Sequence, residues 1–198
     1  MITLAIDTSF HYLTLVLYRD KGVINSIQKE AFKQQSETIL VEIKALFDKA
    51  NISPKDLNRI VLTDGPGSYT GLRIGMTVAK VLGALANIEV YTLSSLHVLA
   101  GLEKNVHILL DARAKRAYYA HYHEGIPLIN ERVVLLSDFD DLDTSNLKIF
   151  GDGQLISKEK YYPDYTKNFM DLEKYWQKIN NIHALVPRYL KDNEAYHS

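Results

Sequence analysis

The stretch "RIVLTDGPGSYTGLRIGMTVAKVLGALA", residues 59–86, constrains this chain more than any other. An apolar β pattern runs into glycines at 65, 67 and 71, and a helical pattern follows. Strand, tight loop and helix in that order is the repeating unit of α/β sheets. A phosphate loop of the Walker type needs Gly-x4-Gly-Lys-Ser/Thr. Here Leu72 follows Gly71 and the next basic residue is Arg73. A dinucleotide fingerprint would follow the first strand, whereas this loop follows the fourth, and Pro66 removes a backbone donor. The amides of Ser68 to Gly71 still leave an anion nest at the helix start as an open alternative.

The helix after the loop carries a second signal. Gly71, Gly75, Ala79 and Gly83 recur every fourth residue and so share one face. Each interior glycine costs about 1 kcal/mol relative to alanine, which calls for a close approach by another surface. That surface is either the chain's own sheet or a partner. Leu72, Met76 and Leu82 sit beside the stripe. From Ser36, "SETILVEIKALFDKANI" places Ile39, Leu40, Ile43, Leu46 and Phe47 on one face of an earlier helix. Side by side, the two helices define an expected partner-docking face: Ile39, Leu40, Ile43, Phe47, Leu72, Gly75, Met76, Ala79, Leu82 and Gly83.

The rest of the chain supplies a frame for this unit. "ITLAID", "YLTLVLYRD" and "KGVINSIQKEAF" read as an antiparallel meander with a hairpin turn at Arg19–Gly22. "EVYTLSSLHVLA" reads as a strand and a helical turn capped by Ser94 or Ser95. These elements make an α/β lobe with helices on one face of the sheet. "VHILLDA", "RAYYAHYHEG", "RVVLLSDF" and "LKIFGDG" supply the strands of a second unit. Both halves open on an apolar run ending in aspartate, Asp7 and Asp111, which suggests duplicated lobes. We therefore expect an N-terminal lobe over 1–103 and a smaller one over 104–198. A tail helix over Asp171–Leu185 is expected to cross back between them.

Composition excludes several chemistries. The 198 residues hold no cysteine, so disulfides, thiolate nucleophiles and Cys-bound zinc are out. A net charge of -1 gives no overall attraction to nucleic acid, although Lys33, Arg113, Lys115 and Arg116 can form a local basic patch. No signal-peptide pattern or membrane-length apolar run occurs, so a cytoplasmic protein without membrane contact is expected. Seven histidines include no His-x3-His pair, and neither His-Glu-x2-His nor Gly-x-Ser-x-Gly is found. His121 and His123 alternate on one strand face, either as metal ligands or as solvent-facing residues. Asp7 and Asp111 can hold hydrated magnesium, act as a base, or serve only as turn and capping residues. Thirteen tyrosines suit a wet aromatic interface or base stacking, and also occur on strands with neither role.

"AIDTS", "GPGSYTGLRIG" with Ala79 and Lys80 behind it, "LSSLHVLA", "LLDAR" and the terminal "VPRYLK" resemble the TsaB family, also called YeaZ. The resemblance spans nearly the whole chain. It implies the two-lobed α/β fold shared by actin and sugar kinases, a ribonuclease H-like fold, with a reduced second lobe. It further implies a subunit that does not itself transfer the group but binds a TsaD-like catalytic partner. With a TsaE-like ATPase, such a complex installs threonylcarbamoyl on the adenosine beside the anticodon of tRNAs reading ANN codons. ATP and Mg or Zn are then associated with the partner subunits, no tightly bound cofactor is expected here, and tRNA is met through the complex. Alone, the chain is expected to form homodimers through the docking face. Asp7, Thr8, Ser9 and Ser68 become a vestigial ligand loop, with no metal and no catalytic residue. Many family members read Gln-His-Ser-Glu at the start of the first helix; this chain reads Gln34-Gln35-Ser36-Glu37. The alternative is an ATP-binding phosphotransferase of the same fold.

Overall fold

A computed structural model describes residues 1–31, 34–86 and 88–190. Lys33, one of the basic residues noted above, lies outside them. The opening meander forms as expected: β1 (Ile2–Asp7), β2 (Tyr12–Arg19) and β3 (Gly22–Glu30) pair antiparallel in sequence order. β4 (Arg59–Gly65) then joins β1 in parallel, and β5 (Glu89–Ser94) joins β4 in parallel. Each parallel step is bridged by a helix, α1 (Gln35–Ala50) and α2 (Tyr69–Ala86). A second sheet is built from β6 (Val106–Arg113), β7 (Arg116–His123), β8 (Ile126–Leu135) and β9 (Lys148–Gly151), in the order β8-β7-β6-β9.

Strand alternation sorts the residues of the first sheet to two cores. Leu4, Ile6, Leu13, Leu15, Leu17, Ile60 and Leu62 face α1 and α2, where Ile39, Ile43, Phe47, Met76 and Ala79 close over them. Ala5, Val16, Tyr18 and Val61 face the other way. There they meet α3 (Ser95–Ala100) and the inner face of the second sheet, carried by Val106, Ile108, Leu110 and Ala120. Two helices thus cover one face of the first sheet, and the third helix fills the space between the sheets. Ser94 caps α3, its Oγ accepting from the His97 amide at 3.3 Å.

The expected tail helix over Asp171–Leu185 does not form. A single turn, α4 (Asn168–Asp171), is followed by 3-10 turns and the short strand β10 (Gln177–Lys178). β10 adds antiparallel to the edge of β5, and the Ile179 amide donates to the Val90 carbonyl at 2.8 Å. The exposed edge of β5 offers these backbone groups partners that a helix would otherwise supply. Aromatic anchors fix the register. Tyr175 packs 4.5 Å from His97, and the indole of Trp176 donates to the Phe169 carbonyl at 2.9 Å beneath the Arg59 guanidinium. Such contacts follow from tertiary position, so helical periodicity in the tail is a poor guide.

Candidate functional site

Two sites meet at the N-terminus of α2. The first is a cleft of about 310 Å³ between the sheets, lined by Ser9, His11, Ser68, Asp111, Asp152 and Tyr162 among others. Of the expected ligand loop, Ser9 and Ser68 line the cleft, and Asp7 and Thr8 are buried behind them. The Ser68 amide donates to the Ser9 carbonyl at 2.8 Å, and Thr8 Oγ1 donates to the Gly71 carbonyl at 2.7 Å. Asp7 is 1% exposed. Its Oδ1 accepts from the Ser9 amide at 2.8 Å, from Ser9 Oγ, and from Thr63 Oγ1 at 2.7 Å. Oδ2 accepts from the Tyr165 hydroxyl at 3.0 Å, which in turn accepts from Thr14 Oγ1 at 2.8 Å. Burial pushes the Asp7 carboxyl upward, and these hydrogen bonds pull against it.

Asp7 does not fit the role of a magnesium ligand. A magnesium ligand at this strand end needs a carboxylate that faces water. Asp7 instead spends its oxygens on Ser9, Thr63 and Tyr165 inside the fold. Asp111, on β6 in the second sheet, accepts from the Arg113 amide at 2.7 Å and pairs with the Arg113 guanidinium at 3.3 Å. Asp7 is thus internal to its own turn, whereas Asp111 lines the cleft wall beside Arg113. Sequence reasoning missed Thr14, Thr63 and Tyr165, because Tyr165 reaches Asp7 from 158 residues away and no local pattern announces it.

The second site is the α1–α2 pair, and here one expectation is corrected. The small-residue stripe faces the chain's own sheet. A Cβ on Gly75 would lie 2.7 Å from Thr8 Oγ1, and one on Gly71 would overlap the Thr8 carbonyl oxygen. A Cβ on Gly83 would strike Ile182, and Ala79 has no exposed surface. Ile39, Ile43, Phe47, Leu72 and Met76 are also buried. The glycines let α2 lie close on β1 and on the tail, which is the reason they recur. Of the residues expected to face a partner, Leu40 is exposed and Leu82 is half-buried.

The outward face was legible in the same helix. Tyr69, Arg73, Thr77 and Val81 also recur every fourth residue, two positions off the stripe and so about 200° around the helix. Tyr69, Arg73 and Thr77, with Ser36, Leu40, Ile74 and others, line a mainly apolar groove of about 380 Å³ between α1 and α2. Val41 and Val81 add exposed apolar surface to the pair. The Arg73 guanidinium sits 4.2 Å from the Tyr69 ring centroid. Gln35, where this chain departs from the family pattern, is structural: its Nε2 donates to the carbonyls of Phe10 at 2.7 Å and Tyr12 at 3.3 Å.

Among the described residues no group of three or more His, Asp or Glu side chains converges as for a metal ion. His121 stacks on its cross-strand neighbour His107, ring centroids 3.9 Å apart, while His123 Nδ1 lies 2.9 Å from Asn105 Oδ1. Burial first and His121 second push His107 down to about 4. The folded chain therefore keeps His107 neutral where the unfolded chain protonates it. Stability is expected to fall as pH drops from about 6.5 towards about 4, by about 1–3 kcal/mol after allowance for partial exposure. Urea melts across this range check it, and His107→Leu should flatten the slope.

The chain superposes on YeaZ from Pseudomonas aeruginosa with a TM-score of 0.73, covering 96% of this chain and 99% of that one at 19% identity. A second Pseudomonas aeruginosa structure, described as having similarity to peptidase YEAZ, gives a TM-score of 0.77 over 96% and 99% at 20% identity. The fold is thus the α/β architecture that these two structures share. The sequence model of a family described as TsaD, tRNA N6-adenosine threonylcarbamoyltransferase, matches residues 21–158. The tRNA threonylcarbamoyladenosine biosynthesis protein TsaB of Bacillus subtilis is 30% identical, over 98% of this chain and 96% of its own length. TsaB of Escherichia coli is 30% identical over 62% of this chain and 55% of its own. The chain belongs to the TsaB (YeaZ) family of TsaD-like proteins.

Proposed function

We propose that this chain is a non-catalytic scaffold subunit. It binds a TsaD-like catalytic partner and supports threonylcarbamoyl transfer to the adenosine beside the anticodon of tRNAs reading ANN codons. The observation that carries this reading is the apolar α1–α2 groove, rimmed by exposed Leu40 and Tyr69, in a chain of the TsaB family. An amphipathic partner helix pair fits such a groove. The internal engagement of Asp7 argues against the phosphotransferase alternative. ATP and Mg or Zn then reside with the TsaD-like and TsaE-like subunits, tRNA is met through the complex, and the free chain pairs with itself through the groove. We read the second sheet as a reduced lobe and the protein as cytoplasmic.

Reconstitution tests this directly. The TsaD-like and TsaE-like proteins of the same organism are supplied with tRNA and the threonylcarbamoyl donor, with and without this chain. Modified nucleoside is expected only when the chain is present. Equal modification in its absence overturns the proposal.

A further inference from the structure

Arg188 gathers three parts of the molecule around one guanidinium. Its Nη2 donates to the Gly65 carbonyl at 2.8 Å, and Nε lies 3.4 Å from Asp64 Oδ1. Nη1 pairs with Glu131 Oε2 at 2.7 Å. Asp64 and Gly65 end β4 in the first sheet, whereas Glu131 stands on β8 in the second. The other Glu131 oxygen accepts from the Tyr122 hydroxyl at 2.8 Å and from Ser94, the cap of α3. Without the guanidinium, two half-sheltered carboxylates would face one another across the seam between the sheets. Burial raises the Asp64 carboxyl, Arg188 lowers it and Glu131 raises it again.

The backbone at this point presses on the glycine loop. The Arg188 amide donates to the Asp64 carbonyl at 2.7 Å. Gly65 has a φ of +124°, and a Cβ there would lie 2.5 Å from the Arg188 carbonyl oxygen, so no other residue admits this strap. Tyr189 then stacks on Tyr69, ring centroids 5.9 Å apart. Tyr69 is shared by the cleft and the α1–α2 groove. Residues 186–190 form neither helix nor strand, and Val186 and Tyr189 are exposed. A segment with so few backbone ties opens more readily than the sheets it joins; buried Pro187 and the ion pairs of Arg188 are what hold it.

We infer that the strap 186–190 is a latch, and that Arg188 is a positioning residue that holds Tyr69 and Arg73 in the arrangement a docking partner meets. The consequence for docking rests on the proposed function; the latch itself does not. Lysine keeps a charge between the carboxylates but cannot span three acceptors in one plane, so it should restore the latch only in part.

The test uses the full chain with Arg188→Met, Arg188→Lys and Tyr189→Ala. Hydrogen exchange is read at the amides of Tyr69–Leu72 in the isolated protein, and affinity is read against the TsaD-like subunit. With Arg188→Met the amides should exchange faster. If the docking-competent arrangement falls to about a tenth of the population, the apparent Kd rises about tenfold. Arg188→Lys should fall between, and Tyr189→Ala should weaken affinity with little change in Tm. A folded Arg188→Met variant with unchanged exchange overturns the latch, and one with unchanged affinity overturns the positioning role. Should Arg188→Met fail to fold, the other two variants decide by the same readouts. If the wild-type chain fails to bind the subunit, the docking reading falls, and exchange alone still judges the latch.

Discussion

Gly71→Ala is expected to destabilise the isolated chain by about 3 kcal/mol, lowering Tm by roughly 6–12 °C for a chain of this size. The new Cβ would overlap the Thr8 carbonyl oxygen. That carbonyl cannot withdraw easily. Thr8 Oγ1 already donates to the Gly71 carbonyl at 2.7 Å, and the next residue accepts from the Ser68 amide at 2.8 Å. Behind them the Asp7 carboxylate is tied to Ser9, Thr63 and Tyr165, so moving the turn disturbs a buried ionisable group. Ala79→Leu should cost about 1–3 kcal/mol by overpacking the same helix-to-sheet seam. Thr77→Ala, on the exposed side of α2, is the control and should stay within about 0.5 kcal/mol. Thermal melts of the monomer check all three. Wild-type stability for Gly71→Ala would mean that the stripe does not pack on its own sheet.

That prediction shows where sequence reading succeeds and where it stops. The strand–loop–helix unit was legible because apolar alternation, glycines and helical period change within a few residues. The spacing of Gly71, Gly75, Ala79 and Gly83 announced a close approach, yet spacing carries no label for which surface approaches. The structure gives α2 to its own sheet and to Ile182 of the tail. The tail itself was misread for a related reason: β10 exists because the edge of β5 is open beside it. Asp7 could be placed at a strand end from sequence, but its partner Tyr165 is set by how the second half folds back. Long-range contacts of this kind belong to topology, and one sequence without its fold does not spell them.

Leu40→Asp is expected to abolish most docking while leaving the monomer melt unchanged. Leu40 is 65% exposed at the rim of the α1–α2 groove, so the isolated fold neither loses packing nor buries the new charge. In a docked complex the aspartate would have to shed its water against an apolar partner face. An unpaired charge in such a place costs several kcal/mol, and loss of even 2 kcal/mol is about thirtyfold in affinity. Tyr69→Ala should act in the same direction by removing an aromatic anchor, the kind of residue that dominates interface energetics. Because Tyr69 also stacks on Tyr189 and carries Arg73, its loss should additionally loosen the strap, whereas Leu40→Asp should not. Calorimetry against the TsaD-like subunit reads both, alongside the sedimentation behaviour of the free chain, since self-association through the same groove should weaken in parallel. Wild-type affinity in a folded Leu40→Asp protein would move the partner to another face of the molecule.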